Sequence, residues 1–472
     1  MKILLTGATG YIGKRLLPVL LNKGYNVVCC VRDKNRFPLP KAFGDKVEII
    51  EADFLKPESL EKVPKDIDAA YYLIHSMSSS NDYKKLERES AVNFRRAVEG
   101  SRIKHVIYLS GIVNEEALSE HLASRKAVED ELAKGNYNFT TLRAGIIIGS
   151  GSASFEIIRD LVEKLPVMVA PKWLNTKCQP IGISDVIRFM EKCLFNSATY
   201  NQSFDIGGPD ILSYKEMLLG YAKARGLGRW IYIVPVMTPK LSSYWLYFIT
   251  STSYKLATAL VSSMKVEVIC RNNMLNDILE INPISYDEAL QRTLSAIERL
   301  QIISSWKDSF ISGRFDHKLS EFLKVPTHGC FVDQRHRTVK NTELCISKIW
   351  KIGGDNGWYY ATWLWKLRGF IDKLFGGVGL RRGRTHPEHI SSGDAIDFWR
   401  VLYADKEQGR LLLFAEMRLP GEAWLEFKIE DGRLYQTATF RPKGLIGRMY
   451  WYAVYPLHGI IFGGLIKELA KN

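Results

Sequence analysis

A glycine-rich turn near the amino terminus is the feature that most constrains how this chain can fold. The apolar run Lys2–Thr6 is predicted to be a buried strand, and it leads into the sequence TGATGYIG at residues 6–13. A helix is predicted over Tyr11–Lys23, because its apolar residues recur at helical spacing and Gly24 is a good carboxyl-terminal stop. A strand, a glycine-rich turn and a helix in this order predict a loop that cradles phosphate groups.

Each glycine of the turn has a separate expected role. The first permits a tight turn, the second lets the backbone approach a pyrophosphate, and the third allows the helix to pack closely on the strand. The helix amino terminus then supplies N–H donors and the positive end of its dipole. A tight turn without a ligand is the alternative, and the context of strand, turn and helix disfavours it. The predicted phosphate-binding residues are Thr6, Gly7, Thr9, Gly10, Tyr11, Ile12 and Gly13.

The segments that follow alternate between strand and helix patterns. Apolar strands are predicted at 26–31, 47–53, 69–74, 105–110 and 139–144, with helices near 82–100 and 115–134. Strands that lack polar alternation and are separated by helices predict a parallel sheet covered on both faces. Residues 1–300 are therefore expected to form a doubly wound, Rossmann-type α/β domain, with a helical cap at about 210–300.

The residue after the second strand indicates which dinucleotide the turn would bind. An acidic residue there suits the ribose hydroxyl of NAD, whereas a nearby arginine suits the 2′-phosphate of NADP. Arg32 directly follows the strand, so NADP(H) is expected; NAD is the alternative if Asp33 takes the ribose. Further cofactor-binding candidates follow the third and fourth strands: Asp53 and Phe54 near the adenine, and Leu73 and His75 along the cofactor. His75 could equally be an ordinary loop histidine.

The last third of the chain changes character. With 472 residues, the chain is long enough for two or three domains, at roughly 100–200 residues each. Strand-like runs at 398–403, 410–418, 423–430 and 433–440 are separated by short turns, which predicts an antiparallel sheet with helices near 357–376 and 448–470. A linker is predicted at 301–329, and a separate α+β domain with an antiparallel sheet at 330–472.

Composition excludes several classes of protein. Seven scattered cysteines without a CxxC pair argue against a disulfide scaffold and a zinc site, so no metal is expected and the compartment is predicted to be reducing. The formal net charge is +14, but no nucleic-acid-binding motif accompanies it, so nucleic acid is not an expected partner. The apolar start breaks at Gly7, too early for a signal peptide, which favours a cytoplasmic location.

The aromatic residues of the last domain leave two interpretations open. Several of the 11 tryptophans lie there, and they could line a pocket for a hydrophobic molecule or fill a tight core. The basic cluster Arg381, Arg382 and Arg384 could hold an anionic group or form a solvated turn. The uncharged segment Met449–Ile466 is at the lower length limit for a membrane span; a buried or membrane-surface helix is preferred.

The motifs together resemble the short-chain dehydrogenase/reductase superfamily, and most closely its atypical, NmrA-like branch. TGATGYIG, Arg32, Asp53-Phe54 and the strand ending at Ser110 carry this resemblance, which continues through 142–169, 179–186 and 204–217. Residues 357–384, 393–401, 415–427 and 436–465 resemble an uncharacterised domain that is fused behind such reductases in bacteria. That domain is similar to the START-like helix-grip fold, which implies an apolar cavity.

The resemblance also implies where catalytic groups would lie. Typical members use a serine together with a tyrosine and a lysine in a YxxxK pair, in which the tyrosine transfers a proton to or from the substrate oxygen. Ser110 matches the serine, but His121 and Arg125 stand where the tyrosine and lysine would be. Histidine can exchange protons near neutral pH, and arginine can hold ribose or stabilise an oxyanion. A His/Arg version of the pair and a loss of catalysis are both open.

Three functions follow from these observations. The first is an NADPH-dependent oxidoreductase whose last domain holds a small hydrophobic substrate. The second is a catalytically silent NADP(H)-binding sensor or scaffold. The third is a lipid-binding protein at the membrane surface, in which the nucleotide domain is regulatory. A homodimer is compatible with all three, because the apolar helices could form an interface between subunits.

Overall fold

A computed structural model of the chain describes residues 1–32, 34, 37, 45–74, 83–113, 120–234, 264–298, 325, 330–374, 390 and 394–471. These residues fall into two compact units, the first formed by residues 1–34 and 39–314 and the second by residues 35–38 and 315–472. Apart from residue 325, the predicted linker 301–329 lies outside the described residues. The expected domain limits at 300 and 330 stay predictions.

The first unit alternates strands and helices along most of its length. Its strands are β1 (Lys2–Thr6), β2 (Asn26–Val31), β3 (Val47–Glu51), β4 (Ala69–Tyr72), β5 (His105–Gly111), β6 (Asn138–Ala144), β7 (Ile147–Ile148), β8 (Val167–Pro171), β9 (Lys177–Cys178), β10 (Ile181–Gly182), β11 (Gln202–Ile206), β12 (Leu212–Ser213) and β13 (Trp230–Val234). Its helices are α1 (Gly13–Asn22), α2 (Tyr83–Val98), α3 (Glu120–Leu132), α4 (Ala153–Lys164), α5 (Ile183–Cys193), α6 (Tyr214–Ala224), α7 (Met274–Leu279) and α8 (Tyr286–Glu298), with 3-10 helices at Pro57–Lys62, Lys172–Asn175 and Ser197–Thr199.

Seven of these strands form one parallel sheet in the order β11-β6-β5-β4-β1-β2-β3. Leu4 at the centre of the sheet pairs with Val28 of β2 and Ala70 of β4, and all three side chains are inaccessible to solvent. The predicted doubly wound parallel sheet is therefore confirmed. Because β2 and β4 lie on opposite sides of β1, the loops after β1 and β4 diverge, and a crevice opens at their carboxyl ends.

The later part of the first unit is more mixed than the predicted helical cap. It contains α6, α7 and α8, but also β13, which pairs in parallel with β8. Residues 235–263 of this region lie outside the described part. A separate apolar cluster holds the region together, and it includes Phe155, Met217 and Tyr221.

The second unit is built on an antiparallel sheet, as the sequence predicts, but the sheet has six strands and the sequence patterns indicated four. Its strands are β14 (Phe331–Thr338), β15 (Ala395–Ile396), β16 (Trp399–Asp405), β17 (Arg410–Ala415), β18 (Gly421–Glu430) and β19 (Arg433–Pro442), in the spatial order β14-β19-β18-β17-β16-β15. Its helices are α9 (Thr342–Ile349), α10 (Thr362–Leu374) and α11 (Gly444–Leu469), with a 3-10 helix at Gly354–Asn356.

Stacked aromatic rings form much of the core of the second unit. The ring centroids of Trp358 and Trp365 are 4.4 Å apart, and Phe398 and Phe462 pack against Trp365. Phe462, Leu465 and Leu469 on the carboxyl-terminal half of α11 are buried in the same cluster. The aromatic residues thus form a core, although a cavity lies beside it, as described below. No helix in the described part of the chain is both long enough and apolar enough to cross a membrane.

Candidate cofactor and active site

The glycine turn lies between β1 and α1, at the carboxyl edge of the parallel sheet. Gly7 has a φ of +64°, a left-handed conformation that favours glycine, and the N–H of Gly10 donates to the carbonyl of Gly7 at 2.9 Å. A Cβ on Gly7 would lie 2.6 Å from the carbonyl oxygen of Leu73, and a Cβ on Gly13 would collide with the backbone of Gly7. Glycine at these two positions therefore allows the turn to pack closely against the end of β4 and against the start of α1.

The side chain of Thr6 holds the glycine turn against the end of β4. Its hydroxyl donates to the carbonyl of Tyr71 at 3.0 Å and accepts the N–H of Leu73 at 2.9 Å, which ties the end of β1 to the end of β4. Thr6 is completely buried, so its side chain positions the turn and does not face a ligand. Leu73 is consequently held beside Gly7, next to the expected cofactor path.

The amino terminus of α1 faces the same turn. Ile12 precedes the helix without a side-chain cap, and the first helical turn carries no acidic residue. The sequence places Lys14 and Arg15 there instead. Backbone N–H groups at such a terminus, together with the helix dipole, favour an anionic group. Thr9 and Ile12 are half-buried around this end.

Tyr11 connects the turn to the neighbouring loop after β7. The guanidinium of Arg15 lies 4.0 Å above the Tyr11 ring and donates to the carbonyl of Ser150 at 2.8 Å. The hydroxyls of Tyr11 and Ser150 are both buried and have no hydrogen-bond partner among the described residues. Burial raises the pKa of the Tyr11 phenol, so it stays protonated and can donate a hydrogen bond.

The remaining cofactor candidates lie at the carboxyl ends of three other strands. Arg32 comes directly after β2 and is exposed. Asp53 follows β3 and accepts the N–H of Leu55 at 3.1 Å. Phe54 is buried against Phe94, with ring centroids 5.8 Å apart, so its side chain belongs to the core. Asp33 and His75 lie outside the described residues.

The catalytic candidates lie on β5 and α3. The Ser110 hydroxyl is buried near the end of β5 without a hydrogen-bond partner among the described residues, although it lies close enough to Tyr108 to lower the pKa of that phenol. Arg125 is half-buried and donates from Nη1 to the Tyr108 hydroxyl at 3.4 Å. His121 lies in α3, but its side chain is outside the described part. The structure therefore brings Arg125 to the strand that carries Ser110.

Tyr108 and Arg125 belong to a buried polar cluster that the sequence does not reveal. Burial raises the pKa of the Tyr108 phenol, and the Arg125 guanidinium lowers it part of the way back. Glu87 of α2 is buried near Arg125 and accepts the Ser124 hydroxyl at 2.5 Å. Neither Tyr108 nor Glu87 could be assigned from the sequence, because strand alternation does not say which way Tyr108 points and Glu87 lies in no motif.

A buried ion pair anchors α3 to the sheet. Arg143 of β6 contacts Glu129 of α3 through two bonds, Nη2 to Oε1 at 2.6 Å and Nε to Oε2 at 3.1 Å. Ser203 of β11 also donates to Glu129, at 2.9 Å. Because both charged side chains are almost fully buried, this contact sets the position of the helix that carries His121 and Arg125. Among the described residues, no cluster of His, Cys, Asp or Glu could hold a metal ion.

The glycine turn, the uncapped helix and the reversal of strand order at β1 are the features of a dinucleotide-binding domain. Comparison with protein families agrees, because residues 7–163 match a family described as NAD(P)H-binding. Residues 328–465 match a second family, described as a protein of unknown function (DUF2867). The first unit thus contains an NAD(P)H-binding domain. The START-like fold and the bacterial type stay predictions.

Individual proteins show the same similarity. The chain is 26% identical over 228 residues to photosystem II assembly factor Ycf39 of Trieres chinensis, covering 47% of this chain and 70% of that protein. It is 26% identical over 227 residues to the chloroplastic divinyl chlorophyllide a 8-vinyl-reductase of Arabidopsis thaliana, covering 44% of this chain and 54% of that protein. Among solved structures, triphenylmethane reductase of Citrobacter sp. is 18% identical with a TM-score of 0.51, covering 62% of this chain and 100% of that one. This last likeness concerns the fold.

Proposed function

We propose that the protein is an NADPH-dependent oxidoreductase that acts on a small hydrophobic substrate. The observation that carries the proposal is the glycine turn, which Thr6 ties to the end of β4 and which leads into the uncapped amino terminus of α1. The similar protein of Arabidopsis thaliana is named as a reductase, which supports reduction as the class of reaction. A cytoplasmic location and a homodimer remain predictions.

The preference for NADPH rests on Arg32. Its side chain is exposed directly after β2, where a guanidinium could pair with a 2′-phosphate through charge-assisted hydrogen bonds. Gly7, Gly10 and Gly13 would hold the pyrophosphate through their backbone, and the bound cofactor would supply a hydride. The backbone around Asp53 and Leu73 lies at the ends of the strands that flank this path.

Ser110, His121 and Arg125 would act on the substrate oxygen. The buried Ser110 hydroxyl has a free hydrogen-bonding capacity that a carbonyl oxygen could take up. His121, which belongs to α3, would exchange a proton with the substrate, and the positive charge of Arg125 would stabilise negative charge that develops on the oxygen. The Arg143–Glu129 ion pair would keep α3 in register with β5 during the reaction.

The cofactor part of the proposal is tested by titrating the full chain with NADPH and NADH. We expect tighter binding of NADPH, and Arg32→Asp should weaken it by about 10- to 100-fold, since a hydrogen bond to a charged group contributes about 1.5–3 kcal/mol. Lys104→Asp makes the same charge change at an exposed position before β5, at the opposite edge of the sheet, and should leave binding unchanged. Failure to bind either nucleotide would overturn the proposal.

The catalytic part is tested by following NADPH oxidation with a panel of hydrophobic carbonyl and conjugated alkene compounds. Once a substrate is found, Ser110→Ala and His121→Ala should lower kcat by about 100-fold or more, which is the usual range for a lost proton donor or oxyanion partner. Both variants should retain NADPH binding. Tight NADPH binding with no turnover of any compound would instead favour a cofactor-binding sensor.

A further inference from the structure

Helices α10 and α11 of the second unit line the same cavity and are joined by a side-chain contact. Arg368 of α10 donates from Nη2 to the Tyr450 hydroxyl of α11 at 2.7 Å. Asp372 of α10 is buried and accepts the backbone N–H of Arg418 at 2.8 Å. The first bond connects the two helices, and the second connects α10 to the loop between β17 and β18.

The outward face of α10 is apolar, which departs from the usual pattern. Helices on a protein surface turn polar side chains to solvent and apolar ones to the core. Here Trp365, Gly369 and Asp372 are buried, and apolar residues also recur every three or four positions along the exposed face. Those exposed apolar residues are Trp363 (66% exposed), Leu367 (47%), Phe370 (54%), Ile371 (45%) and Leu374 (58%).

The amino-terminal part of α11 continues this surface. Its inward side carries Trp451 and His458, which are buried, and its other side exposes a second group of apolar residues. These are Leu445, Ile446, Met449, Tyr452, Tyr455, Leu457 and Ile460. A contiguous exposed apolar patch on a folded protein marks an interaction site. We call the exposed apolar residues of α10 and α11 together the helix-pair surface.

A cavity of about 360 Å³ opens within the helix-pair surface. Leu367, Ile371 and Leu457 both line the cavity and belong to the exposed apolar faces. Leu364 and Val454 extend its apolar lining between the helices. The surface is therefore concave as well as apolar, and covering it would remove a large apolar area from water.

Among the described residues of α10 and α11, the exposed charged side chains on the helix-pair surface are positive. Lys366 on α10 and Arg448 on α11 are exposed among the apolar residues, and Lys443 is exposed at the start of α11. The only acidic residue of α10 is the buried Asp372, and residues 444–467 contain no Asp or Glu. An apolar surface with interspersed cations is complementary to negatively charged headgroups above an apolar interior.

We propose that the helix-pair surface docks onto an anionic lipid bilayer, with α10 and α11 lying in the plane of the interface. Trp363, Tyr452 and Tyr455 suit this position, because aromatic residues with a polar atom concentrate at the boundary between water and lipid. This proposal goes beyond the sequence-based expectation for Met449–Ile466, because α10 supplies half of the surface, and it is independent of the oxidoreductase proposal.

The experiment is co-sedimentation of the full chain with vesicles of phosphatidylcholine alone or mixed with phosphatidylglycerol. We expect binding to the mixed vesicles and much weaker binding to phosphatidylcholine, with a loss of affinity as salt screens the charges. Phe370→Glu and Met449→Glu change exposed residues outside the cavity lining, so the variants should fold. Each should weaken vesicle binding by about tenfold or more, because each removes a large apolar side chain from the interface and adds a negative charge.

Leu344→Glu on α9 is the matched control. It introduces the same charge at an exposed leucine of the same unit, away from the helix-pair surface, and it should bind vesicles like the wild type. Wild-type protein that fails to bind mixed vesicles, or binds both kinds equally, would overturn the proposal. If the wild type does not bind vesicles but forms a dimer, and Phe370→Glu dissociates that dimer, the surface would instead be the contact with a second copy of the chain.

Discussion

Each unit contains a buried histidine, and the two imidazole rings differ in their hydrogen bonds. His105 of β5 is completely buried, and its Nδ1 accepts the N–H of Phe195 at 3.1 Å. Its Nε2 lies 2.9 Å from the Thr140 hydroxyl, which in turn donates to the carbonyl of Thr199 at 2.7 Å. Since Nδ1 accepts, Nε2 carries the proton of the neutral ring, and every polar atom of this imidazole is satisfied.

His458 of α11 is buried among aromatic rings and lines the cavity of the helix-pair surface. The ring of Trp451 meets it edge-on at 4.9 Å, and Phe462 does so at 4.7 Å. Its Nδ1 has no hydrogen-bond partner among the described residues, and the nearest carboxylate, Asp333, is 4.0 Å away. Arg335 already engages that carboxylate through two bonds of 2.9 and 3.0 Å.

Burial lowers the pKa of both histidines to about 4. A lowered pKa therefore does not distinguish the two rings, whereas their hydrogen bonds do. His105 is part of the packing of the parallel sheet. His458 retains an unused polar atom beside a cavity, which is the pattern expected where a ligand or water can enter.

The largest expected effect on the free energy of unfolding comes from a buried ion pair of the second unit. In the second unit, Arg400 and Glu416 are both fully buried with Nε and Oε1 3.2 Å apart. Glu416→Ala should destabilise this unit by about 3–5 kcal/mol, because it removes the carboxylate that balances the charge of a fully buried guanidinium. Urea unfolding followed by tryptophan fluorescence measures the loss. Glu426→Ala breaks the more exposed Arg410–Glu426 pair and should cost about 1 kcal/mol or less; equal losses would contradict the role of burial.

Acid should destabilise both units through their histidines. In the unfolded chain a histidine takes up its proton near pH 6.5, but the folded rings do so only near pH 4. The contribution of the two neutral rings to the free energy of unfolding is therefore fully present above about pH 6.5. It falls as the pH drops from 6.5 to 4 and is lost below that. Each ring accounts for about 3 kcal/mol of this loss. Histidine NMR titrations in the full chain would contradict the prediction if either ring titrated near its ordinary pKa.

A smaller effect tests whether the hydrogen bonds of His105 are structural. Thr140→Val keeps the shape of the side chain but leaves the Nε2–H of His105 and the carbonyl of Thr199 without partners. We expect a loss of about 2 kcal/mol in the free energy of unfolding of the first unit. Thr140→Ser, which restores the hydroxyl, should recover most of it. An unchanged stability in Thr140→Val would show that these bonds contribute little.

The smallest effect is expected at His458. His458→Phe replaces a ring that has an unpartnered Nδ1 with an apolar ring of similar size. The change should alter stability at neutral pH by less than about 1 kcal/mol and remove the acid-dependent loss of the second unit. Urea unfolding at neutral and acidic pH measures both. A large loss at neutral pH would mean that His458 is as firmly engaged as His105, and the contrast between the units would fail.

The parts of the fold that sequence patterns predicted are those with local signals. β1, the glycine turn and α1 follow one another within 22 residues, and the structure places them as expected. β14 was missed, because its sequence FVDQRHRT is mostly polar. It is the edge strand of its sheet, and most of its side chains are exposed, so it needs no apolar alternation.

The surfaces that depend on tertiary packing could not be predicted in the same way. The sequence of α10 is apolar on several sides, so its pattern does not say which side faces the core. Trp363, Leu367 and Phe370 recur at helical spacing and could equally have faced the core. The structure instead buries Trp365 and Gly369 and exposes these three residues. Similarly, the contact of Arg125 with Tyr108 joins a helix to a strand 17 residues earlier, and no motif contains both.

The single hydroxyl of Thr6 has a thermodynamic consequence for ligand binding. By joining the ends of β1 and β4, it holds the phosphate turn in one conformation before any nucleotide arrives. A preorganised loop loses little conformational entropy when it binds, so more of the interaction energy contributes to affinity. Thr6→Val would keep the glycines but remove this restraint. The binding entropy of the nucleotide should then become less favourable, and the binding enthalpy should change less.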